Sequence, residues 1–176
     1  MEIGATKAVQ DRLKTTKIEE SKGASLVFCW DTHLTKIKGR NVLFIVNASN
    51  RYTIAMTDIE PRNWNYYAMY IRSVIHGVMQ EMGYFEEQIG QYFKMPGDTA
   101  VTKTHGRKSV GGINRMVMDA QYFGKKLEKE AKYQWELSEY LNRDICQPEG
   151  FDAYGYPSEL FKLDMERLGI ATKRKP

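Results

Sequence analysis

The sequence has little cysteine and no long apolar run. Its 176 residues include two cysteines, Cys29 and Cys146, which are too few for a disulfide framework or a thiolate zinc site. No stretch reaches the roughly eighteen consecutive apolar residues that a membrane span needs. Charged residues also interrupt 1–13, where the apolar segment of a signal peptide would lie. We therefore expect a cytoplasmic protein without a membrane partner.

Histidine is also scarce, and no catalytic motif is present. The three histidines, His33, His76 and His105, show neither a Glu-x-x-His nor a His-x-x-x-His spacing, although Asp31 lies two residues before His33. The chain has no Gly-x-Ser-x-Gly sequence, and neither cysteine lies in a reactive context. The sequence therefore predicts no metal site, no cofactor and no catalytic residue, and we expect that the protein is not an enzyme.

The first half of the chain has the pattern of a small sheet followed by a helix. Residues 41–47 include five consecutive apolar residues, mostly β-branched or aromatic, and 52–57 form a returning strand. The four residues between them make 41–57 a hairpin. Apolar residues at helical spacing predict a helix over 63–82. We predict an α+β fold, in which a small, mainly antiparallel sheet with a central hairpin at about 41–57 is covered by helices.

The last third of the chain is predicted to be helical. Apolar periodicity favours helices over 114–123, 125–143 and 158–168. We therefore divide the chain into an α+β core domain over 1–120 and a helical C-terminal extension over 121–176 that packs on it.

A basic, glycine-rich segment precedes the first of these late helices. Residues 104–116 hold three cations, two hydroxyls and three glycines. Glycines let backbone N–H groups approach a ligand, and a helix N-terminus favours anions. The spacing differs from a Walker loop, since Arg107 stands where that motif needs glycine. The alternative is a solvated surface loop. The candidate residues for nucleic-acid or anion binding are Lys103, Arg107, Lys108, Ser109, Arg115, Lys125 and Lys126.

Charge is segregated along the chain. Residues 103–132 carry eight Lys/Arg and three Asp/Glu, whereas 133–172 carry three Lys/Arg and eight Asp/Glu, and a basic tail follows at 173–175. Such segregation bears on partners rather than on fold. The acidic block is either a solvated surface or a surface that faces a cationic partner. Its candidate partner-binding residues are Glu136, Glu139, Asp144, Asp152, Tyr154 and Tyr156.

Three pieces of the chain resemble a known set of proteins. They are Ile3-x-Ala-Thr-Lys7, then Trp30 followed by Arg40-Asn-Val-Leu-Phe-Ile-Val-Asn47, and Arg107-Lys-Ser-Val-Gly-Gly-Ile-Asn114. Together they are similar to a widespread family of small, uncharacterised bacterial and phage proteins. The resemblance covers about 1–120. The family has an "Arg-x-Val-x-Gly-x-Met-Asn" block that is usually followed by Asp. This chain departs from it at two positions, with Ile113 in place of Met and Arg115 in place of that Asp.

The resemblance implies a function that the residue spacing does not. Relatives on mobile elements include broad-range anti-CRISPR proteins, so it implies an inhibitor that binds a Cas9–guide RNA complex and blocks binding or cleavage of target DNA. The residues themselves leave two alternatives open. One is a DNA- or RNA-binding module that uses the basic segment 103–132, and the other is a small enzyme or toxin that acts on nucleotides.

Overall fold

Five strands form one sheet in the described part of the chain. The structure is a computed structural model that describes residues 1–14 and 17–170, so the basic tail at 173–175 lies outside the described residues. The spatial order of the strands is β4-β3-β2-β1-β5. Their bounds are β1 Glu2–Ala5, β2 Cys29–Ile37, β3 Arg40–Asn47, β4 Thr53–Thr57 and β5 Ala100–Thr102.

The sheet is mixed, with β2 in the middle. Strand β3 pairs antiparallel with β2 and with β4, whereas β1 pairs in parallel with β2 and with β5. The predicted α+β class and the hairpin of β3 and β4 are confirmed. The central position predicted for the hairpin is wrong, because the hairpin lies at one edge of the sheet. The sheet was predicted to be mainly antiparallel, and the parallel pairing of β1 with β2 and β5 was not predicted.

Seven α-helices surround the sheet within the described residues, and a short 3-10 helix at Leu26–Phe28 leads into β2. The α-helices are α1 Lys7–Gln10, α2 Pro61–Asn65, α3 Tyr67–Glu81, α4 Glu86–Lys94, α5 Arg107–Gln121, α6 Trp135–Asn142 and α7 Pro157–Arg167. The helix predicted over 63–82 is divided at Tyr66, whose ψ of 40° leaves the helical region.

The helix predicted over 125–143 is wrong in its first half, because α6 begins at Trp135. The segment before it pairs with the outer edge of β4 instead. The Thr57 N–H donates to Lys132 O at 2.8 Å, and the Gln134 N–H donates to Ala55 O at 2.9 Å. An edge strand presents unpaired backbone groups, and satisfying them outweighs the local helical preference of the segment.

Helices cover both faces of the sheet, and successive residues of β3 alternate between them. Leu43 and Ile45 belong to a core with residues of α3, α4 and α7. Phe44 and Val46 belong to a second core with residues of α5 and α6. Side chains alternate in direction along a strand, so a strand buried on both faces has a continuous apolar run.

Residues after 120 contribute to both of these cores. Phe123 and Leu141 lie in the core that contains Phe44, while Phe161 and Met165 lie in the opposite core. The side-chain amide of Asn142 in α6 donates to Thr53 O and its oxygen accepts from the Thr53 N–H, both at 2.8 Å. The C-terminal helices therefore pack on both sides of the sheet.

We predict that Phe44→Ala lowers the free energy of unfolding by about 3–5 kcal/mol, because it leaves a cavity in the core between β3 and α5. Urea denaturation followed by circular dichroism measures the change. Met69→Ala is the control, since Met69 is 70% exposed and its loss should change stability by less than about 0.5 kcal/mol. Equal stability of Phe44→Ala and the unmodified chain would contradict the packing described.

Candidate functional site

The basic segment is mostly helical. Helix α5 begins at Arg107, seven residues earlier than predicted, after Gly106 with φ of 93°. The predicted loop is therefore short, and Arg107, Lys108 and Ser109 form the first turn of the helix. The glycines at 111 and 112 weaken local helix propensity, but burial of Ile113 and the apolar residues that follow it against the sheet holds the segment helical.

The anion at the start of α5 is a carboxylate of the protein itself, Asp31 of β2. Asp31 is fully buried and accepts hydrogen bonds from the His105 N–H at 3.2 Å and from the Ser109 hydroxyl. A helix N-terminus stabilises a nearby negative charge. The basic segment was predicted to bind an anionic ligand, whereas the anion at the start of α5 is a carboxylate of the same chain.

His105 connects Asp31 to a second buried carboxylate, Glu2 of β1. Its Nδ1 lies 2.6 Å from Asp31 Oδ1, and its Nε2 lies 2.9 Å from Glu2 Oε2. Burial alone would lower the pKa of His105, but hydrogen bonding and attraction to Asp31 and to Cys29 outweigh burial and raise the pKa to about 11. The imidazole is therefore protonated between two carboxylates. We call Glu2, Asp31, His105 and Ser109 the buried network.

Glu2 is also held by residues of the loop before β2. It accepts from Ser21 Oγ at 2.6 Å and from the Lys22 N–H at 2.7 Å. Burial tends to raise the pKa of Glu2, but these hydrogen bonds and the one from His105 outweigh burial and lower it. Glu2 is therefore charged, and the buried network holds two carboxylates on one imidazolium.

The arrangement of the buried network differs from that of a catalytic triad. A nucleophilic serine donates its proton to the histidine, whereas Ser109 donates to Asp31. The side chains of Glu2, Asp31 and His105 are each at most 5% exposed, so a substrate has no access to them. These contacts position the start of α5 against the sheet.

The buried network also lies beside a cysteine. One ligand atom from each of Glu2, Cys29 and His105 lies within 4.8 Å of the other two. The expectation of no metal site rested on the spacing of the histidines, and that spacing gave no sign of this group. Its members come from β1, from β2 and from the segment after β5.

A cleft beside the first turns of α5 gathers three cations. It has a volume of about 350 Å³ and is lined by Arg51, Lys108 and Arg115, with Glu149 as the carboxylate on its rim. Arg51 was not predicted, because it comes from the turn between β3 and β4. Its guanidinium donates to Gly112 O at 2.9 Å, where a side chain at 112 would crowd it. We call this the cationic cleft.

The other predicted basic residues lie outside the cationic cleft. Lys103 pairs with Glu20, and Lys125 pairs with Glu136 at 2.6 Å. Arg107 and Lys126 are exposed. Of the seven predicted anion-binding residues, the structure therefore brings Lys108, Ser109 and Arg115 together.

Much of the predicted acidic surface is engaged in ion pairs. Glu136 pairs with Lys125, and Glu139 pairs with Arg143 at 2.9 Å. Both glutamates line a second cleft of about 390 Å³ whose walls include Phe123, Trp135 and Tyr140. We call this the aromatic cleft. The remaining predicted partner residues are exposed outside it and are Asp144, Asp152, Tyr154 and Tyr156.

One exposed stripe of α5 runs from the cationic cleft toward the aromatic cleft. Its members repeat at helical spacing and end on Met118 and Tyr122, which are 59% and 80% exposed. The adjacent Phe123 contributes to the aromatic cleft and lies 5.4 Å from the Tyr140 ring centre. The full α5 stripe is Lys108, Gly111, Arg115, Met118 and Tyr122.

We predict that Gly4→Ala lowers the free energy of unfolding by about 3 kcal/mol. A Cβ at Gly4 would overlap Asp31 Oδ1 and lie 3.1 Å from His105 Nδ1, so the buried network would be forced apart. Gly90→Ala in α4 is the matched control, since its Cβ would meet no atom within 4 Å. Chemical denaturation should show that this control gains about 0.5–1 kcal/mol. A Gly4→Ala variant as stable as the control would contradict the assigned contacts.

Among residues 1–14 and 17–170, no helix combines the length and the apolar character that crossing a membrane requires.

No curated protein and no solved structure matches the chain. One family model does match it, over residues 2–160, and this match continues past residue 120 through α6 into α7. The chain therefore belongs to the family described as DUF6933, a domain of unknown function.

Proposed function

We propose that the protein binds single-stranded nucleic acid along the α5 stripe, with phosphate groups in the cationic cleft. The observation that carries this proposal is the convergence of Arg51, Lys108 and Arg115 on one cleft. Arginine presents a planar fork of donors that matches phosphate oxygens, and lysine supplies a point charge. Glu149 lies 3.9 Å from Lys108, and Asp119 pairs with Arg115 at 3.2 Å. Three cations against these two carboxylates leave a net positive charge.

The aromatic residues beyond the cationic cleft favour a single strand over a duplex. Unpaired bases stack on exposed aromatic rings, and this stacking tolerates any sequence. Tyr122 directly follows α5 and lies fourteen residues after Lys108, so the stripe is about 21 Å long at about 1.5 Å per residue. That length accommodates several nucleotides. Phosphates would bind at one end and bases would stack on Tyr122 and the aromatic cleft at the other.

The Cas9-inhibitor hypothesis stays a prediction, and the described contacts favour it less. Its acidic surface was to face cationic groups of the partner, but Glu136 and Glu139 already pair with Lys125 and Arg143. A chain that ignores oligonucleotides but co-elutes with a Cas9–guide RNA complex would favour that hypothesis over ours.

The nucleotide-acting enzyme or toxin finds no specific support among the described residues. A general base must come within hydrogen-bond reach of the group that it deprotonates. His105 is the histidine next to the basic segment, and it is enclosed between Asp31 and Glu2. The accessible groups of the cationic cleft can bind an anion, and we assign binding rather than catalysis to them.

We predict that Lys108→Ala and Arg115→Ala together weaken binding to a labelled single-stranded oligonucleotide, because both residues line the cationic cleft. Fluorescence anisotropy at several salt concentrations should show the log–log salt slope reduced by about 0.7 for each lost phosphate contact. Arg51 is retained in this variant because its guanidinium also holds Gly112 of the helix.

The matched control removes the same charge from other helices. The control is Lys94→Ala with Lys162→Ala, whose lysines lie on α4 and α7 and are exposed. Because neither of them lines the cationic cleft, the salt slope of this variant should remain close to that of the unmodified chain. Equal losses in the two double variants would mean that net charge alone drives binding. Absence of binding at low salt would refute the proposal.

We also predict that Tyr122→Ala weakens single-strand binding by about 1–3 kcal/mol, the usual value of one stacked base, with little effect on the salt slope. Tyr154→Ala is the control, because Tyr154 is 70% exposed and lies in the acidic segment. Titrations of both variants with the same oligonucleotide separate stacking on α5 from aromatic exposure in general. A larger loss in Tyr154→Ala would assign binding to the acidic segment.

A further inference from the structure

We propose that Glu2, Cys29 and His105 form a zinc site. This inference is independent of the proposed nucleic-acid binding. The ligand atoms of the three residues lie within 4.8 Å of one another, a separation that small side-chain movements would convert into coordination of one ion. Cys29 is fully buried and Glu2 is 4% exposed. The three come from different parts of the sheet and from the segment that enters α5.

The donor set matches zinc. A thiolate, an imidazole nitrogen and a carboxylate oxygen are the ligands that Zn²⁺ prefers in proteins. Carboxylates and water without sulfur or nitrogen would favour magnesium or calcium instead. Three protein ligands leave the fourth tetrahedral position to a water molecule.

The contacts around the three ligands are those that orient metal ligands. A histidine that binds zinc through one ring nitrogen usually donates its other N–H to a carboxylate. Asp31 Oδ1 lies 2.6 Å from His105 Nδ1, which leaves Nε2, 2.9 Å from Glu2 Oε2, to bind the ion. The Glu2 carboxylate is fixed in turn by Ser21 Oγ and the Lys22 N–H.

Binding exchanges protons for the ion. His105 would release the proton on Nε2 and Cys29 its thiol proton, both to solvent, because zinc ligands must be deprotonated. The hydrogen bond between His105 Nε2 and Glu2 would be replaced by a bond from each to the metal. The thiol's contacts with Ala24 O and Ser25 O, at 3.6 and 3.5 Å, are weak for a hydrogen bond and would be lost with little cost.

The role of such an ion is structural. Because the ligands are buried, a substrate cannot reach the ion. The ion would join β1, β2 and the segment after β5, which come together only in the folded chain, and would so fix the start of α5. Zinc that binds the folded chain and not the unfolded one raises stability by mass action. A chain that lacks the metal would keep the buried network as a charged hydrogen-bonded cluster, so the ion is not required for folding.

The test uses the full chain with any affinity tag removed and metals stripped by a chelator. Titration with Co²⁺, which takes the same ligands, should saturate at one ion per chain and produce a thiolate-to-cobalt charge-transfer band in the near ultraviolet. Zn²⁺ should then abolish the band, and elemental analysis should find one zinc per chain. The thermal midpoint of the zinc-loaded chain should lie above that of the stripped chain.

Two cysteine variants assign the site. Cys29→Ser should lose the charge-transfer band and the zinc-dependent rise in midpoint, while Cys146→Ser, which removes the other buried cysteine, should keep both. If Cys29→Ser fails to fold, the band in the unmodified chain and in Cys146→Ser still assigns the thiolate. Absence of stoichiometric binding, binding without a thiolate band, or loss of the band in Cys146→Ser would overturn the proposal.

Discussion

The hydrogen bonds of the buried Asp31 carboxylate hold the start of α5 on the sheet, and the rest of the structure depends on them. Asp31 stands on the middle strand of the sheet, and it accepts hydrogen bonds from the backbone and side chain of His105 and from Ser109. A charge at this depth is tolerated when donors and an opposite charge surround it. The imidazolium of His105 and the N-terminus of α5 supply both. Gly4 leaves the space that the carboxylate needs.

The fixed start of α5 determines which side of this helix faces solvent. With its first turn held over β2 and its apolar side on Phe44 and its neighbours, α5 turns the opposite stripe to solvent. The cationic cleft then forms where that stripe meets the turn between β3 and β4, which contributes Arg51. Buried charges therefore hold the scaffold. The exposed cations Lys108 and Arg115 lie on the same helix, in surface ion pairs with Glu149 and Asp119.

The sheet owes its shape to being covered on both faces and along one edge. The continuous apolar run in β3 reflects the two cores, and the extended backbone at 132–134 satisfies β4. Residues that read as a helix by local preference are extended there because unpaired backbone groups at a buried edge cost more than a lost turn of helix. The C-terminal residues thus complete the sheet as well as packing on it.

The sequence by itself determined the α+β class, the hairpin of β3 and β4, and the existence of the later helices, since period and turn chemistry are local properties. It also indicated that the basic segment before the late helices favours an anion. Only the tertiary structure decided that this anion is Asp31, 74 residues before His105. The same holds for the approach of Glu2, 103 residues away, and for Arg51 in the cleft. Such encounters depend on strand order and parallel pairing, which no local pattern encodes.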